Sequence, residues 1–405
     1  MRTDGAAGPF LRAAIVASAV AAGLVVVSAA LDLGRAHWAA ALVALPLLTG
    51  ALVAALVAYR RLVVPAGAAL VLMLAAIATG GLVAWVDARW SVAVHVAAAG
   101  GALAAALLTL ALSYRGEPAA LGPWRDYVTL TKPRIMSLLL LTGVGGMFVG
   151  AGGWPGAWPL AAMVVGLALA CGGASALNHV IDRDIDRLMG SRTAARPVAS
   201  GRVPAPRALE FGLVLSALSF ALLASTVNVL TALLALVGNL FYVVVYTGYL
   251  KRSTDQNIVI GGAAGAVPPL VGYAAATGSL ALPALWLFLI VFLWTPPHFW
   301  ALALMLKEHY AAANVPMLPG TRGEAETTRQ IVLYSLALVA FTLVVGIWLG
   351  PIYTVAAALL GGAFVLLARR LRVDTSRRNA VVLFHYSLAY LALLFVAAAV
   401  DPVVL

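Results

Sequence analysis

Apolar residues fill this chain in long runs, and short polar loops divide the runs. Thirteen of them approach or exceed the ~20 residues that an α-helix needs to cross a bilayer. They lie at 12–31, 38–59, 63–86, 92–113, 134–151, 157–178, 207–226, 229–249, 257–276, 283–305, 330–349, 352–368 and 379–400. The pattern predicts an all-α polytopic membrane protein of about 13 spans. The longest early polar stretch, SYRGEPAALGPWRDYVTLT, separates four predicted helices from the nine that follow. It divides the chain into a four-helix transmembrane domain at 1–115 and a second domain of nine transmembrane helices at 116–405.

Composition agrees. The chain is 63% hydrophobic with a mean hydropathy of +1.01, against roughly 45–50% apolar for soluble domains. MRTDGAAGPFLR runs into the first apolar segment without a convincing small-residue cleavage site, and is read as the start of a retained helix. The lone cysteine, Cys171, excludes a disulfide framework and a cysteine metal cluster.

The net charge of +11 suggests nucleic acid until its distribution is mapped. With the N-terminus inside, 24 of the 26 Lys and Arg residues fall in inside loops, and only Arg35 and Arg89 fall outside. That is a positive-inside signal. It predicts an integral protein of the inner (cytoplasmic) membrane, with a cytoplasmic N-terminus and the C-terminus outside. The expected partners are the lipid bilayer and an anionic substrate, with no nucleic acid.

One polar cluster stands out at an apolar boundary. In NHVIDRDID (178–186), Asn178, Asp182 and Asp186 share a face if the helix continues into the cytosol, while Asp184 points away, toward an arginine or solvent. Carboxylates four residues apart repel, so a cation should offset them. Mg²⁺ takes oxygen ligands, and usually binds one or two carboxylates plus a substrate phosphate. Arg187, Arg192, Arg196 and Arg202 follow as donors to phosphate oxygens. The bland alternative is a solvated helix end with self-neutralising pairs. A second inside loop, YTGYLKRSTDQNIVIGG (246–262), brings Lys251, Arg252 and Asn257 to the same face. A third motif, WTPPHFWALAL (294–304), sets His298 and two prolines within a span, where a polar residue is a functional candidate.

Residues from about 125 to 400 resemble the UbiA-type intramembrane prenyltransferases, and within them the haem-modifying branch. The resemblance rests on TKPRI (131–135), NHVIDRDID, RTAARP (192–197), SGR (200–202), YTGYLKRSTDQNIVIGG, WTPPHFWALAL and VPMLP (315–319). It implies nine helices around a cavity, with the polar motifs on the cytoplasmic side. It also implies Mg²⁺-dependent transfer of a farnesyl group from farnesyl diphosphate to a vinyl group of haem B, with water addition, to give haem O. Mg²⁺ would sit on Asn178, Asp182 and Asp186, and Lys251 and Arg252 would join them in catalysis. Lys132, Arg192, Arg196 and Asn257 would bind substrate, and His298 could contact a haem propionate, guide the water or ligate iron.

Two departures from the family pattern concern this site. Two residues, Gly190 and Ser191, separate Met189 from Arg192 where one is expected, and His309 stands where an Asp is expected. In addition, Lys251, Arg252, Thr254, Asp255 and Asn257 occupy the place assigned to a second Asp-rich motif, which leaves a second metal doubtful.

The first 115 residues resemble one half of haem A synthase, best over 74–104. His37 and His95 are placed near the outer face at similar depth, as candidate ligands of a b-type haem or parts of a docking module for haem A synthase. Competing readings are a UbiA-type enzyme acting on a quinone precursor or chlorin, and a haem transport or assembly protein.

Overall fold

A computed structural model describes residues 62–83, 89–113 and 122–404, with scattered helical residues between 15 and 52. Among the described residues every regular element is helical. The long helices are α1 (Val63–Val83), α2 (Arg89–Ser113), α3 (Pro133–Ala151), α4 (Ala157–Ile181) and α5 (Ala205–Thr226). They continue as α6 (Val229–Ser253), α7 (Asn257–Thr277), α8 (Leu282–Met305), α9 (Gly323–Leu349), α10 (Pro351–Val373) and α11 (Arg377–Val404). Ten are long and apolar enough to cross a membrane, and α2 carries a shorter apolar stretch at Ala97–Thr109. The predicted spans at 12–31 and 38–59 lie largely outside the described residues. The protein is an all-helical, multi-pass membrane protein.

The nine helices from α3 onward form a closed ring. Each packs on the next and α11 returns to α3, and α3 also packs on α7 and α8 on α11. Close approach requires glycine at one crossing: a Cβ on Gly272 of α7 would run into the Gly143 carbonyl of α3, and one on Gly146 into Pro269. Without a hydrophobic force between helices in lipid, such backbone contact is what holds them. The α1–α2 pair packs outside the ring on α5, where Gly100 of α2 lies against Ala221.

Local signals explain several helix ends. Pro133, Pro351 and Leu282-Pro283 start helices at the first turn, where a missing N–H is harmless. Asn228 caps α6 by accepting from the Thr231 N–H at 2.8 Å. The C-terminal part of α6, Phe241–Leu250, is wound as a π-helix. Consecutive helices alternate in direction, so the ends of α4, α6 and α8 gather at one end of the bundle. The turn between α9 and α10 and the end of α11 lie at the other.

Candidate active site

The end of α4 carries the acidic motif. The helix stops at Ile181, turns at Asp182 (φ −83°, ψ 3°), and resumes as a short helix, Arg183–Leu188. The predicted continuous face therefore has a kink. The i→i−4 bonds nevertheless persist through it, with Asp182 N–H donating to the Asn178 carbonyl and Asp186 N–H to that of Asp182, both at 2.8 Å. Asn178, Asp182 and Asp186 remain on one side, 2%, 1% and 1% exposed.

Cations from three other segments converge on them. Lys132 adopts the left-handed conformation (φ 50°), which is sparsely populated by non-glycine residues and clusters at functional sites. That conformation lets its ammonium donate to Asn178 Oδ1 at 2.7 Å. Lys251, at the end of α6, donates to Asp182 Oδ2 at 2.6 Å. Arg196 donates to Asp186 Oδ1 at 2.6 Å. Asn178 Nδ2 bridges to Asp182 Oδ2 at 2.8 Å and to Thr247 Oγ at 3.1 Å. The Thr247 hydroxyl in turn donates to the Tyr242 carbonyl, five residues back along the π-helix. A π-turn at a functional site is a recurrent arrangement, and here it turns Thr247 toward Asn178.

Burial dominates the electrostatics. It pushes the Lys132 amine down to about 7, helped by the nearby charges of Arg196 and Lys251. It raises the Asp186 carboxyl above its ordinary value, against the Arg196 pair. Both shifts describe charges held close together in a dry place, and an anion arriving among the cations would relieve the first.

Two oxygens are left over. Asp182 Oδ1 and Asp186 Oδ2 are buried without a hydrogen-bond partner. A buried acceptor left unpaired is costly, on the order of 1–3 kcal/mol, so its presence at two neighbouring carboxylates marks capacity held for a ligand. Among the described residues no cluster of three His, Cys, Asp or Glu could hold a metal. The donor set fits Mg²⁺ as two carboxylates completed by substrate phosphate. The Asn178 oxygen is already engaged by Lys132, so the amide acts here as a bridge within the network.

Not every predicted residue joins this network. Arg252 makes a bidentate pair with Asp184, at 2.7 Å for both bonds, and also donates to the Ile181 carbonyl. That pair holds the Asp184 carboxyl well below its usual range and braces the kink from outside. Asn257 spends both amide protons on the Thr254 and Pro316 carbonyls, at 2.6 and 2.8 Å, and keeps a buried Oδ1 without a partner. It therefore ties two loops together and cannot also donate to phosphate. Arg192 lies exposed on the short helix Ser191–Ala194. His298 sits apart, in α8, against Ser387 of α11. His95 lies in α2 with Nδ1 at 2.7 Å from the Ala76 carbonyl, and His37 lies outside the described residues.

The sequence reading missed Thr247, although it stands four residues before Lys251 and so on the same helical side. His309, which stands where an Asp is expected, packs its ring against Gly190. A Cβ on Gly190 would lie 2.7 Å from His309 Cδ2, and the glycine has φ +109°. The two departures from the family pattern in this region therefore touch.

The sequence model of the UbiA prenyltransferase family matches residues 139–389. The chain belongs to the UbiA prenyltransferase family. Among curated UbiA-type relatives, the protoheme IX farnesyltransferase of Roseiflexus castenholzii is 52% identical over 292 residues, which are 71% of this chain and 54% of that protein. The protoheme IX farnesyltransferase of Azotobacter vinelandii is 50% identical over 294 residues, 72% of this chain and 96% of that protein. The chain thus spans about half the length of several curated relatives that it matches. A solved structure of a UbiA homolog from Archaeoglobus fulgidus bound to DMAPP and Mg²⁺ superimposes with a TM-score of 0.54. At 17% identity it covers 69% of this chain and 100% of that one, a likeness of fold.

Proposed function

We propose that this UbiA-type chain is a haem O synthase. It transfers the farnesyl group of farnesyl diphosphate to a vinyl group of haem B, with addition of water, and releases haem O and diphosphate. The observation that carries the proposal is the buried Lys132–Asn178–Asp182–Lys251 and Asp186–Arg196 network, in which each aspartate keeps one unpartnered oxygen. The similarity to protoheme IX farnesyltransferases supports haem as the acceptor.

The difficult step is breaking the allylic C–O bond, because negative charge grows on the departing diphosphate. Preorganised cations in a site with little water stabilise that charge strongly. Lys132, Lys251 and Arg196 provide it. Asp182 and Asp186 would hold Mg²⁺, which when bound adds Lewis-acid stabilisation to the same oxygens. The haem vinyl carbon then bonds the allylic carbon, water adds to the resulting haem-side cation, and one proton leaves. Arg252 contributes by holding Asp184 and the kink; Asn257 contributes by holding the loop from Thr254 to the Pro316 segment.

The same proposal places the site on the cytoplasmic side of the inner membrane, with the N-terminus inside and the C-terminus outside, supported by the segregation of Lys and Arg among the loops. The first 115 residues would form an accessory membrane domain, of which the described helices α1 and α2 pack on the ring from outside at α5. A b-type haem on His95 and His37, or docking of haem A synthase, belongs to this domain. The His95 Nδ1 contact with the Ala76 carbonyl is the kind of outer contact that ligating histidines make.

The test is one reaction with purified protein, haem B, farnesyl diphosphate and Mg²⁺, followed by mass analysis of the haem. Haem heavier by one farnesyl and one hydroxyl group, its vinyl converted to hydroxyethylfarnesyl, and absent when EDTA is added, is the expected product. Unmodified haem accompanied by diphosphate release would redirect the proposal to another acceptor. No change in either, with folded protein, would overturn it.

A further inference from the structure

His298 is a buried polar group of the bundle that the diphosphate chemistry leaves unused. It lies seven residues before the end of α8, about 10 Å along the helix from Met305. Its ring is clamped on both faces. Trp294 stacks at 4.3 Å with planes 16° apart, and Phe384 stacks at 4.7 Å with planes 21° apart. Phe299 meets it edge-on at 5.2 Å. Trp294 is itself anchored, its Nε1 donating to the Ser387 carbonyl at 2.8 Å.

Ser387 also determines where the imidazole proton sits. Its hydroxyl has one proton and donates it to the Phe384 carbonyl at 2.7 Å, since a carbonyl can only accept. The same Oγ is 2.7 Å from His298 Nδ1. For both contacts to be hydrogen bonds, Nδ1 must donate. The neutral ring then carries its lone pair on Nε2. Among the described residues Nε2 takes no protein partner, and it is not one of the sealed, unpartnered atoms.

A neutral imidazole with a fixed plane, one nitrogen donating to an oxygen and the other presenting a lone pair, is the form that ligates a transition metal. The setting is apolar and aromatic, and the residue is only 6% exposed. A hydrated metal ion would be unwelcome there, whereas iron already chelated in a flat apolar macrocycle would be admitted. A ligating ring stands across the plane of such a macrocycle, so Trp294 and Phe384, parallel to the ring, would meet it edge-on. The tautomer rules against a hydrogen bond from Nε2 to a propionate, which requires a proton on that atom. The geometry points to His298 Nε2 as an axial ligand to the iron of the haem acceptor, with Ser387 as the residue that positions it. This rests on the proposal that haem is the substrate.

The full-length protein is titrated with ferric haem B and followed by absorption and electron paramagnetic resonance. Wild type, His298→Gly, Ser387→Ala and Asp182→Asn are compared in parallel, so that any haem bound independently of His298 cancels in the difference. Wild type is expected to show a histidine-bound component that His298→Gly lacks and that added imidazole restores. Ser387→Ala should bind haem about 10–100-fold more weakly, the usual effect of removing an outer partner of a metal ligand. Its midpoint potential should rise, because a less basic imidazole stabilises ferric iron less; a packing role alone would leave the potential unmoved. Asp182→Asn should keep the wild-type spectrum while diphosphate release falls by roughly 10²–10³-fold. A His298→Gly protein that binds haem with the wild-type spectrum and forms haem O would overturn the ligand and leave the reaction standing. Unchanged affinity and potential in Ser387→Ala would overturn it even if His298→Gly does not fold. Failure of every variant, wild type included, to bind haem would overturn both readings.

Discussion

The two ends of the helix ring each bury carboxylates, and they treat them in opposite ways. At one end Asp182 and Asp186 are both 1% exposed, and each keeps an oxygen without a partner. At the other, Asp401 of α11 is 2% exposed and has both oxygens in use. It accepts from the Ile352 and Tyr353 N–H groups at 3.3 and 2.8 Å. Those are orphan donors in the first turn of α10, where the N-cap position is Gly350 and offers no side chain. Asp401 supplies the cap from a residue far along the chain, and nothing remains for a ligand. A buried acid whose valences are filled is architecture; one whose valences are left open among three cations is chemistry in reserve.

The strongest way to break that comparison is to remove charge at the open end while keeping shape. Asp182→Asn and Asp186→Asn each retain an oxygen to accept from Lys251 or Arg196, so the protein should still insert and fold. Diphosphate release should fall by roughly 10²–10³-fold, the scale seen when a preorganised group at a developing charge is lost. Assaying release at saturating farnesyl diphosphate and Mg²⁺ checks it. Near-normal turnover in either variant would return both residues to a structural role.

Next in size is Lys251→Ala. A charge-assisted hydrogen bond contributes about 1.5–3 kcal/mol, so kcat/KM for the diphosphate substrate should fall about ten- to a hundredfold. Steady-state kinetics with varied farnesyl diphosphate measures this, and unchanged kinetics would take Lys251 out of the site.

At the closed end the expectation reverses. Asp401→Ala leaves two first-turn amides of α10 unpaired, at about 1–3 kcal/mol for a buried orphan. The melting temperature in detergent should drop, while specific activity of the folded fraction at low temperature stays at the wild-type level. An Asp401→Ala protein that melts normally but turns over slowly would erase the distinction between the two ends.

The helices were readable because the bilayer writes its thickness into the sequence. The predicted run at 157–178 falls within Ala157–Ile181, and 134–151 nearly coincides with Pro133–Ala151. The gathering of the polar motifs was also readable, since alternating helices return the loops after α4, α6 and α8 to one end. What could not be read is how each side chain spends its hydrogen bonds. Arg252 and Lys251 are neighbours in sequence, yet one braces Asp184 outside and the other enters the network at Asp182. Asn257 resembles a ligand in a string of letters, and only the fold shows that its amide protons tie two loops while its Oδ1 stays without a partner. The kink at Asp182 and the π-winding before Leu250 are small changes of backbone pitch that no spacing rule anticipates. His309 against Gly190 is a contact between loops far apart in the chain, invisible until the ring is closed.

The smallest expected effect concerns how the loop after α6 is fastened beside the open carboxylates. Asp255 accepts from Arg322 Nε at 2.6 Å and from its Nη2 at 3.2 Å, linking that loop to the short helix Leu318–Thr321. The Arg322 bond, foremost among the causes, lowers the Asp255 carboxyl from its ordinary 3.8. A carboxyl lowered in the folded state stabilises it above the unfolded value and loses that contribution as pH falls through the folded value. The fastening should therefore hold at neutral pH and loosen only on acidification below 3.8. Because Arg322 lies in solvent, its side chain 53% exposed, the contribution of the pair is small and weakens with salt. Hydrogen exchange across 313–323 should show protection declining over that acid range in wild type. In Arg322→Ala the same segment should be less protected already at neutral pH, with no further step in the acid range. Equal protection in both proteins at neutral pH would mean that Asn257, through its bond to the Pro316 carbonyl, holds the two loops together without help.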